Sequence, residues 1–244
     1  SLQCCRLCHN MATWYCCGYS ISLNLSFQIE LVSICDLCTA TFFILSYCTT
    51  SCTNNFDLDA VEQLIHGFPG LVVVDEAYAE FSSNPSVIPW LAKYPNLMVC
   101  QTFSKAQGMA GARLGMAFAH SDFISFFNRI KAPYNINSLT INAVQKRLKD
   151  QDKVKQEVDL LLNERKRLEE AFASISFIEK YFPSDANFLM IRVDDSSIRY
   201  KQLLENGIVV RNSSKNLNCE NTLRISVGLP QENNRLIEVL ASLS

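Results

Sequence analysis

Leu71-Val72-Val73-Val74 places four apolar, mostly β-branched residues in a row, and Asp75 ends the run abruptly. A strand covered on one face alternates polar and apolar residues, so an unbroken run belongs to a parallel sheet buried on both faces. Leu97 to Cys100 is a second such run and Leu114 to Ala119 a third. Helical periodicity separates or follows them at Asp122 to Lys131, Thr140 to Leu148 and roughly 153–173. Strands alternating with helices predict an α/β layer fold.

Ahead of the first run, Asp57 caps a predicted helix with apolar face Leu58, Val61, Leu64 and Ile65, stopped by Gly67. After Ser174 the elements shorten. Asn187 to Val193 alternates like a half-buried strand, Arg199 to Glu205 is helical with Gly207 as its stop, and Ile208 to Val210 and Leu223 to Val227 read as strands. Pro230 to Leu243 reads as a closing helix. The expected organisation is an atypical segment over 1–53, part of a large domain over 54–150, a connecting helix over 151–174 and a small α+β domain over 175–244.

Cysteine usage sets residues 1–53 apart. Nine of the eleven cysteines lie in the first 52 residues, where Arg6, Glu30 and Asp36 are the only formal charges. Two readings of the segment stay open. Cys5-Arg-Leu-Cys8 and Cys35-Asp-Leu-Cys38 have the paired spacing of zinc thiolate sites, although the gap between the pairs is long and tight-turning glycines are lacking. Alternatively, the segment is foreign to the rest of the chain. A net charge of −2 with 19% charged residues points away from nucleic acid and acidic membrane surfaces. No run is long and apolar enough for a membrane span, and none resembles a secretion signal, so a cytoplasmic protein is expected. His9, His66 and His120 have no partner spacing and receive no role.

Ligands of open α/β sheets gather at the carboxyl ends of the strands. Asp75 stands at the end of the first run, with Tyr78 three residues on. Thr102, Ser104 and Lys105 follow the second, and Arg113 lies eight residues past the lysine. Singly, each has an ordinary explanation: a solvated loop lysine, a helix-capping Asp75-Glu76 pair, a surface arginine. Jointly they place a carboxylate, a phenol, two hydroxyls, an amine and a guanidinium in one region. A desolvated lysine offers a neutral amine to a carbonyl compound, a carboxylate holds a proton on a ring nitrogen, and arginine with hydroxyls suits a phosphate. That set matches the needs of pyridoxal 5'-phosphate.

Leu71-Val-Val-Val-Asp-Glu-Ala-Tyr-Ala-Glu-Phe81 and Thr102-Phe-Ser-Lys-Ala-Gln-Gly-Met-Ala-Gly-Ala-Arg-Leu-Gly115 resemble the fold-type I aminotransferases of classes I and II, with the histidinol-phosphate aminotransferases as the nearest group. The likeness continues through 131–140, 184–188, 209–212 and 223–228. It implies a three-layer α/β/α large domain, incomplete on its N-terminal side, with a small α+β C-terminal domain. Lys105 resembles the Schiff-base lysine and proton shuttle, Asp75 the partner of the ring nitrogen and Tyr78 that of the ring oxygen. Ser104, Arg113 and Thr102 resemble phosphate ligands. Arg224 resembles the arginine for a substrate carboxylate, and Arg211, thirteen residues earlier, a ligand for a substrate phosphate. The implied reaction is ping-pong amino transfer between histidinol phosphate and 2-oxoglutarate, carried out by a homodimer without a metal. Other aminotransferases of these classes, a threonine-phosphate decarboxylase-like enzyme, and a non-catalytic protein with a zinc-binding N-terminus are the competing readings.

The resemblance also implies features that this chain lacks before Asp75. Gly18 is the only glycine before Gly67, so the family's Gly-rich phosphate turn has no counterpart. Cys48-Thr-Thr-Ser-Cys-Thr-Asn54 stands where an Asn-Pro-Thr-Gly loop belongs, with Thr50 at the asparagine position. A truncated family member with weakened cofactor binding is therefore expected.

Overall fold

The computed structural model describes residues 56–216 and 218–244, the backbone of four strands before them, and the burial of Leu45. Those strands are β1 (Thr13–Cys16), β2 (Tyr19–Leu23), β3 (Ile29–Ser33) and β4 (Phe42–Ser46). The first three form an antiparallel sheet in that order. Thr50 and the two Cys-x-x-Cys pairs lie outside the described residues. The chain divides into two compact units: one holds 55–79 and 84–146, the other 80–83 and 147–244.

The first unit is built on the sheet β4-β5-β6-β7, with β5 (Leu71–Asp75), β6 (Leu97–Thr102) and β7 (Gly115–Ala119). Strands β4, β5 and β6 run parallel, with Ser46, Asp75 and Cys100 in register at their carboxyl ends. The predicted helix is α1 (Leu58–Gly67), and the Asp57 carboxylate accepts the Ala60 N–H at 3.0 Å as its cap. Val61, Leu64 and Ile65 pack with Leu45, Val72, Val74, Leu97 and Val99 in one core. The Asn96 side chain donates to the carbonyls of Ile65, Phe68 and Gly70, tying the last turn of α1, which leaves carbonyls without partners, to the loop that follows. Helices α2 (Ser121–Ile130) and α3 (Ser138–Leu148) follow β7.

The third apolar run departs from expectation. Strand β7 pairs antiparallel with β6, with Met98 opposite Ala119 and Thr102 opposite Gly115. A parallel return needs a crossover, usually a helix. Residues 103–114 instead form a compact loop with a single 3-10 turn at Ala110–Ala112, so the chain folds straight back along the sheet edge.

The second unit packs α4 (Gln151–Phe172), α5 (Ser196–Glu205) and α6 (Pro230–Ser242) with an antiparallel sheet. Its strand order is β10 (Arg211–Asn212), β11 (Thr222–Ser226), β9 (Phe188–Val193) and β8 (Ile178–Phe182). Leu189, Ile191, Val193, Leu223 and Ile225 meet Leu168, Phe172, Leu203, Leu236 and Leu240 in a second core. Strand β9 is buried on both faces rather than half-buried, because it is a central strand and the Arg224 guanidinium covers Phe188. The strand expected at 208–210 is replaced by the two-residue β10. Gly207 adopts φ +77° at the end of α5, and the Ile208 N–H closes that helix on the Leu203 carbonyl at 2.8 Å. Strand β8 gave no sequence signal, since Glu179 and Lys180 interrupt its apolar pattern on the sheet edge.

Glu164 of α4 binds Arg167 through two hydrogen bonds and accepts the Asn233 amide at 2.7 Å. Asn233 also bonds both the N–H and the carbonyl of Gly228, just past β11. Among the described residues no helix is long and apolar enough to cross a membrane.

Candidate active site

Parallel pairing sets Asp75 and Cys100 side by side, so the loops after β5 and β6 leave the sheet from one edge. The Asp75 Oδ1 accepts the Ala77 N–H at 3.1 Å, a local turn that orients the carboxylate as the chain leaves the strand. Tyr78 follows in the same turn. Past β6, Phe103 is buried and anchors the next loop: its N–H donates to the Leu114 carbonyl and its own carbonyl accepts the Met109 N–H. Within that frame the Gly108 N–H reaches the Lys105 carbonyl at 2.8 Å, and Gly108 takes the φ of +66° that this tight return requires.

Lys105 is thereby half-buried, with its Nζ 4.8 Å from the centroid of the Tyr78 ring. The contact joins the two loops, a lysine nitrogen over the face of a phenol. The Ser104 N–H donates to Thr102 Oγ1 at 3.1 Å, and the Thr102 hydroxyl donates to the Leu114 carbonyl at 3.4 Å. Thr102 thus braces the loop that carries Ser104 and Lys105.

Arg113 has a left-handed backbone, φ 52° and ψ 43°, and its Nη1 donates to the Ala110 carbonyl at 3.1 Å. A non-glycine residue held in this region costs about 1–2 kcal/mol. Such strain marks places where surroundings over-determine a side chain's direction. Arg113 lines a cavity of about 360 Å³ with Asn135, Asn137 and Thr140, whose polar side chains sequence reasoning did not single out. Burial and the neighbouring Asp75 charge push the Cys100 thiol above its ordinary range.

Glu76 is the other residue that sequence reasoning passed over. Placed in the sequence as part of a helix cap, its side chain is fully buried and its carboxylate accepts three hydrogen bonds. A charged residue directly behind a buried strand was the available signal, because an ionised carboxylate enters an interior only with its acceptors satisfied.

In the second unit Arg211 and Arg224 are directly opposite in the β10–β11 register. Both therefore share one face of that sheet, the reverse of the face bearing Leu223 and Ile225. Arg224 is half-buried over the Phe188 ring at 4.6 Å, and Arg211 is exposed. Like charges directly across a ladder repel. An anion between the two guanidinium groups would remove that repulsion. Among the described residues no cluster of His, Cys, Asp and Glu has metal-holding geometry.

The model of the family described as aminotransferase class I and II matches residues 18–240. The chain belongs to this family. The match begins inside the cysteine-rich segment. A histidinol-phosphate aminotransferase of Flavobacterium psychrophilum is 49% identical over 190 residues, 78% of this chain and 55% of that protein. The corresponding protein of Flavobacterium johnsoniae is 41% identical over 226 residues, covering 92% of this chain and 65% of that one. The chain thus spans 55–65% of the length of these curated relatives. Among solved structures, the histidinol-phosphate aminotransferase from Sinorhizobium meliloti in complex with pyridoxal-5'-phosphate superposes with a TM-score of 0.73 at 26% identity, over 84% of this chain and 59% of that one. The enzyme from Clostridium acetobutylicum gives 0.77 at 21% identity, over 83% and 63%. The fold is that of the fold-type I aminotransferases, as the α/β reading of the sequence expects.

Proposed function

We propose that this class I and II aminotransferase chain carries the lysine-bearing part of a pyridoxal 5'-phosphate site serving amino transfer between histidinol phosphate and 2-oxoglutarate. The observation that carries the reading is Lys105 Nζ over the Tyr78 ring, on loops that leave the paired ends of β5 and β6 where Asp75 stands. The residues fit the cofactor: a half-buried amine, a carboxylate, a phenol, a serine and a strained arginine sit on two loops leaving one sheet edge. When bound, the cofactor supplies an electron-withdrawing ring that accepts the negative charge left when a substrate carbon loses its proton.

Lys105 Nζ is the point of attachment and the group that carries the proton at the amine-bearing carbon of the substrate. Asp75 holds a proton on the ring nitrogen, and Tyr78 donates to the ring oxygen. Ser104, Arg113 and Thr102 bind the phosphate, and Thr102 also holds Ser104 in place. Arg211 and Arg224 receive the anionic ends of the amino donor and the 2-oxo acid, and their enforced proximity on one sheet face supports that role. The names of the curated relatives support the choice of substrate. Both substrates are charged, diffusible metabolites, which supports a cytoplasmic reaction. A homodimer goes with this reading; its support is the apolar surface where Phe126, Phe127, Ile130, Tyr134 and Leu139 stand exposed.

The test is reductive trapping. Protein mixed with pyridoxal phosphate is treated with borohydride, digested and mapped by mass spectrometry. The label is expected on Lys105 and absent from Lys105→Ala. Labelling of other lysines alone, or of none, overturns the proposal.

A further inference from the structure

Consecutive residues of extended chain point to opposite sides, and Asp75 at the end of β5 and Glu76 just past it divide accordingly. The Asp75 carboxylate is half-buried at the site, whereas Glu76 is 0% exposed. Glu76 Oε1 accepts the Val87 N–H at 2.7 Å. Its Oε2 accepts the Ser86 hydroxyl at 2.7 Å and the Gln101 amide at 3.0 Å. All three donors are neutral, so a buried carboxylate is held by hydrogen bonds from two separate segments. Such an arrangement is costly to break, because each donor is then left without an acceptor in the interior.

The location matters more than the count. The backbone ladder between β5 and β6 ends at Asp75 and Cys100, where the Glu76 N–H still reaches the Cys100 carbonyl at 2.8 Å. Gln101 and Thr102 have no partner on β5 and keep only the pairing with β7 that β6 holds from Met98 onward. The Glu76–Gln101 bond is the side-chain continuation of the β5–β6 pairing past its last rung. Tyr78 follows two residues beyond one end of that bond, and Lys105 four residues beyond the other.

We propose that Glu76 is a positioning residue, whose buried carboxylate sets the Asp75–Tyr78 turn and the Lys105 loop at the spacing the cofactor requires. The inference rests on the cofactor reading above, but its structural half is testable without cofactor. In Glu76→Gln the shape is kept, while an amide now faces the Ser86 and Gln101 donors and the charge is gone. In the cofactor-free chain, amide hydrogen exchange at 77–79 and at 102–106 is expected to rise about tenfold or more, with the helices α1 and α4 unchanged. In the loaded chain, the cofactor dissociation constant is expected to rise about tenfold, the lower end of the effect of a buried donor losing its acceptor. Gln101→Leu, which leaves Glu76 its other two donors, is expected to loosen 102–106 and weaken cofactor in the same direction. Faster exchange confined to 84–88, with an unchanged dissociation constant, would make Glu76 an anchor for that loop alone and overturn the proposal. Failure of the unsubstituted chain to attach cofactor at Lys105 would overturn the site reading, while the exchange pattern would still decide for or against the clamp.

Discussion

At the scale of single residues, the site holds two groups whose surroundings work against their intrinsic preferences. Arg113 keeps a left-handed backbone that glycine would adopt freely. Arg113→Gly is therefore expected to raise stability by about 1 kcal/mol in chemical denaturation, the strain it relieves less the entropy glycine adds. The same change is expected to weaken cofactor binding tenfold or more, in line with the roughly 1.5–3 kcal/mol of hydrogen bonds made by a charged group. A gain in both quantities would remove Arg113 from the phosphate site. Cys100 is the second case. Its thiol is raised by burial and then by the Asp75 charge, and the thiolate is the reactive form. Peptide-resolved alkylation near pH 8 should find Cys100 slow, and Asp75→Asn should speed it modestly, since burial, the larger cause, remains.

At the scale of elements, caps and ties decide how firmly each helix is held. Asp57→Ala removes the bond to the Ala60 N–H and is expected to cost about 1 kcal/mol, measured as the denaturation midpoint of the first unit. In the second unit, the hydrogen bond from Arg167 holds the Glu164 carboxyl below the ordinary glutamate value of 4.5, with Asn233 assisting. A carboxyl whose pKa falls on folding adds stability above its unfolded value and loses it as pH drops through the folded value. Glu164→Gln should accordingly lower the melting temperature at pH 7, and the gap from the unsubstituted chain should close as pH falls below 4.5. A gap that stays constant into acid would mean that the charge of Glu164 adds nothing. The sequence displayed Arg167 three residues after Glu164, an ordinary surface spacing on a helix. It did not display Asn233, sixty-nine residues on, which fixes that pair to the turn after β11.

At the scale of the whole molecule, two units with separate cores make up the described chain. Independent cores are expected to melt independently, so calorimetry should resolve more than one transition. Glu164→Gln should move one of these transitions and leave the other in place. Phe126, Phe127, Ile130, Tyr134 and Leu139 all stand exposed within a short stretch of chain, apolar side chains of the kind an interface covers. Ile130→Glu should reduce self-association in sedimentation experiments; an unchanged sedimentation coefficient would dissociate this surface from dimerisation.

Some of this was legible without a structure. Unbroken apolar runs mark strands whatever their direction, so β5, β6 and the position of Asp75 and Lys105 at or just past their ends were readable, although β5 buries only alternate residues, Val72 and Val74, rather than both faces. Capping chemistry is equally local, so Asp57 and Gly207 marked their helix boundaries correctly. The direction of β7 was not readable, since an apolar run carries no sign of which way the chain crosses it and only the short loop at 103–114 forces the antiparallel return. Arg211 and Arg224 were readable as lying on neighbouring strands, but not as directly opposite each other, which is a matter of tertiary register. The burial of Glu76 is the clearest case. A glutamate beside a site aspartate reads as part of a helix cap, and only the folding of Ser86, Val87 and Gln101 around it supplies the donors that let it remain inside. Residue type and local order determined the chemistry this chain presents. Long-range packing alone decided which of those groups meet, because hydrogen-bond partners distant in sequence leave no local trace.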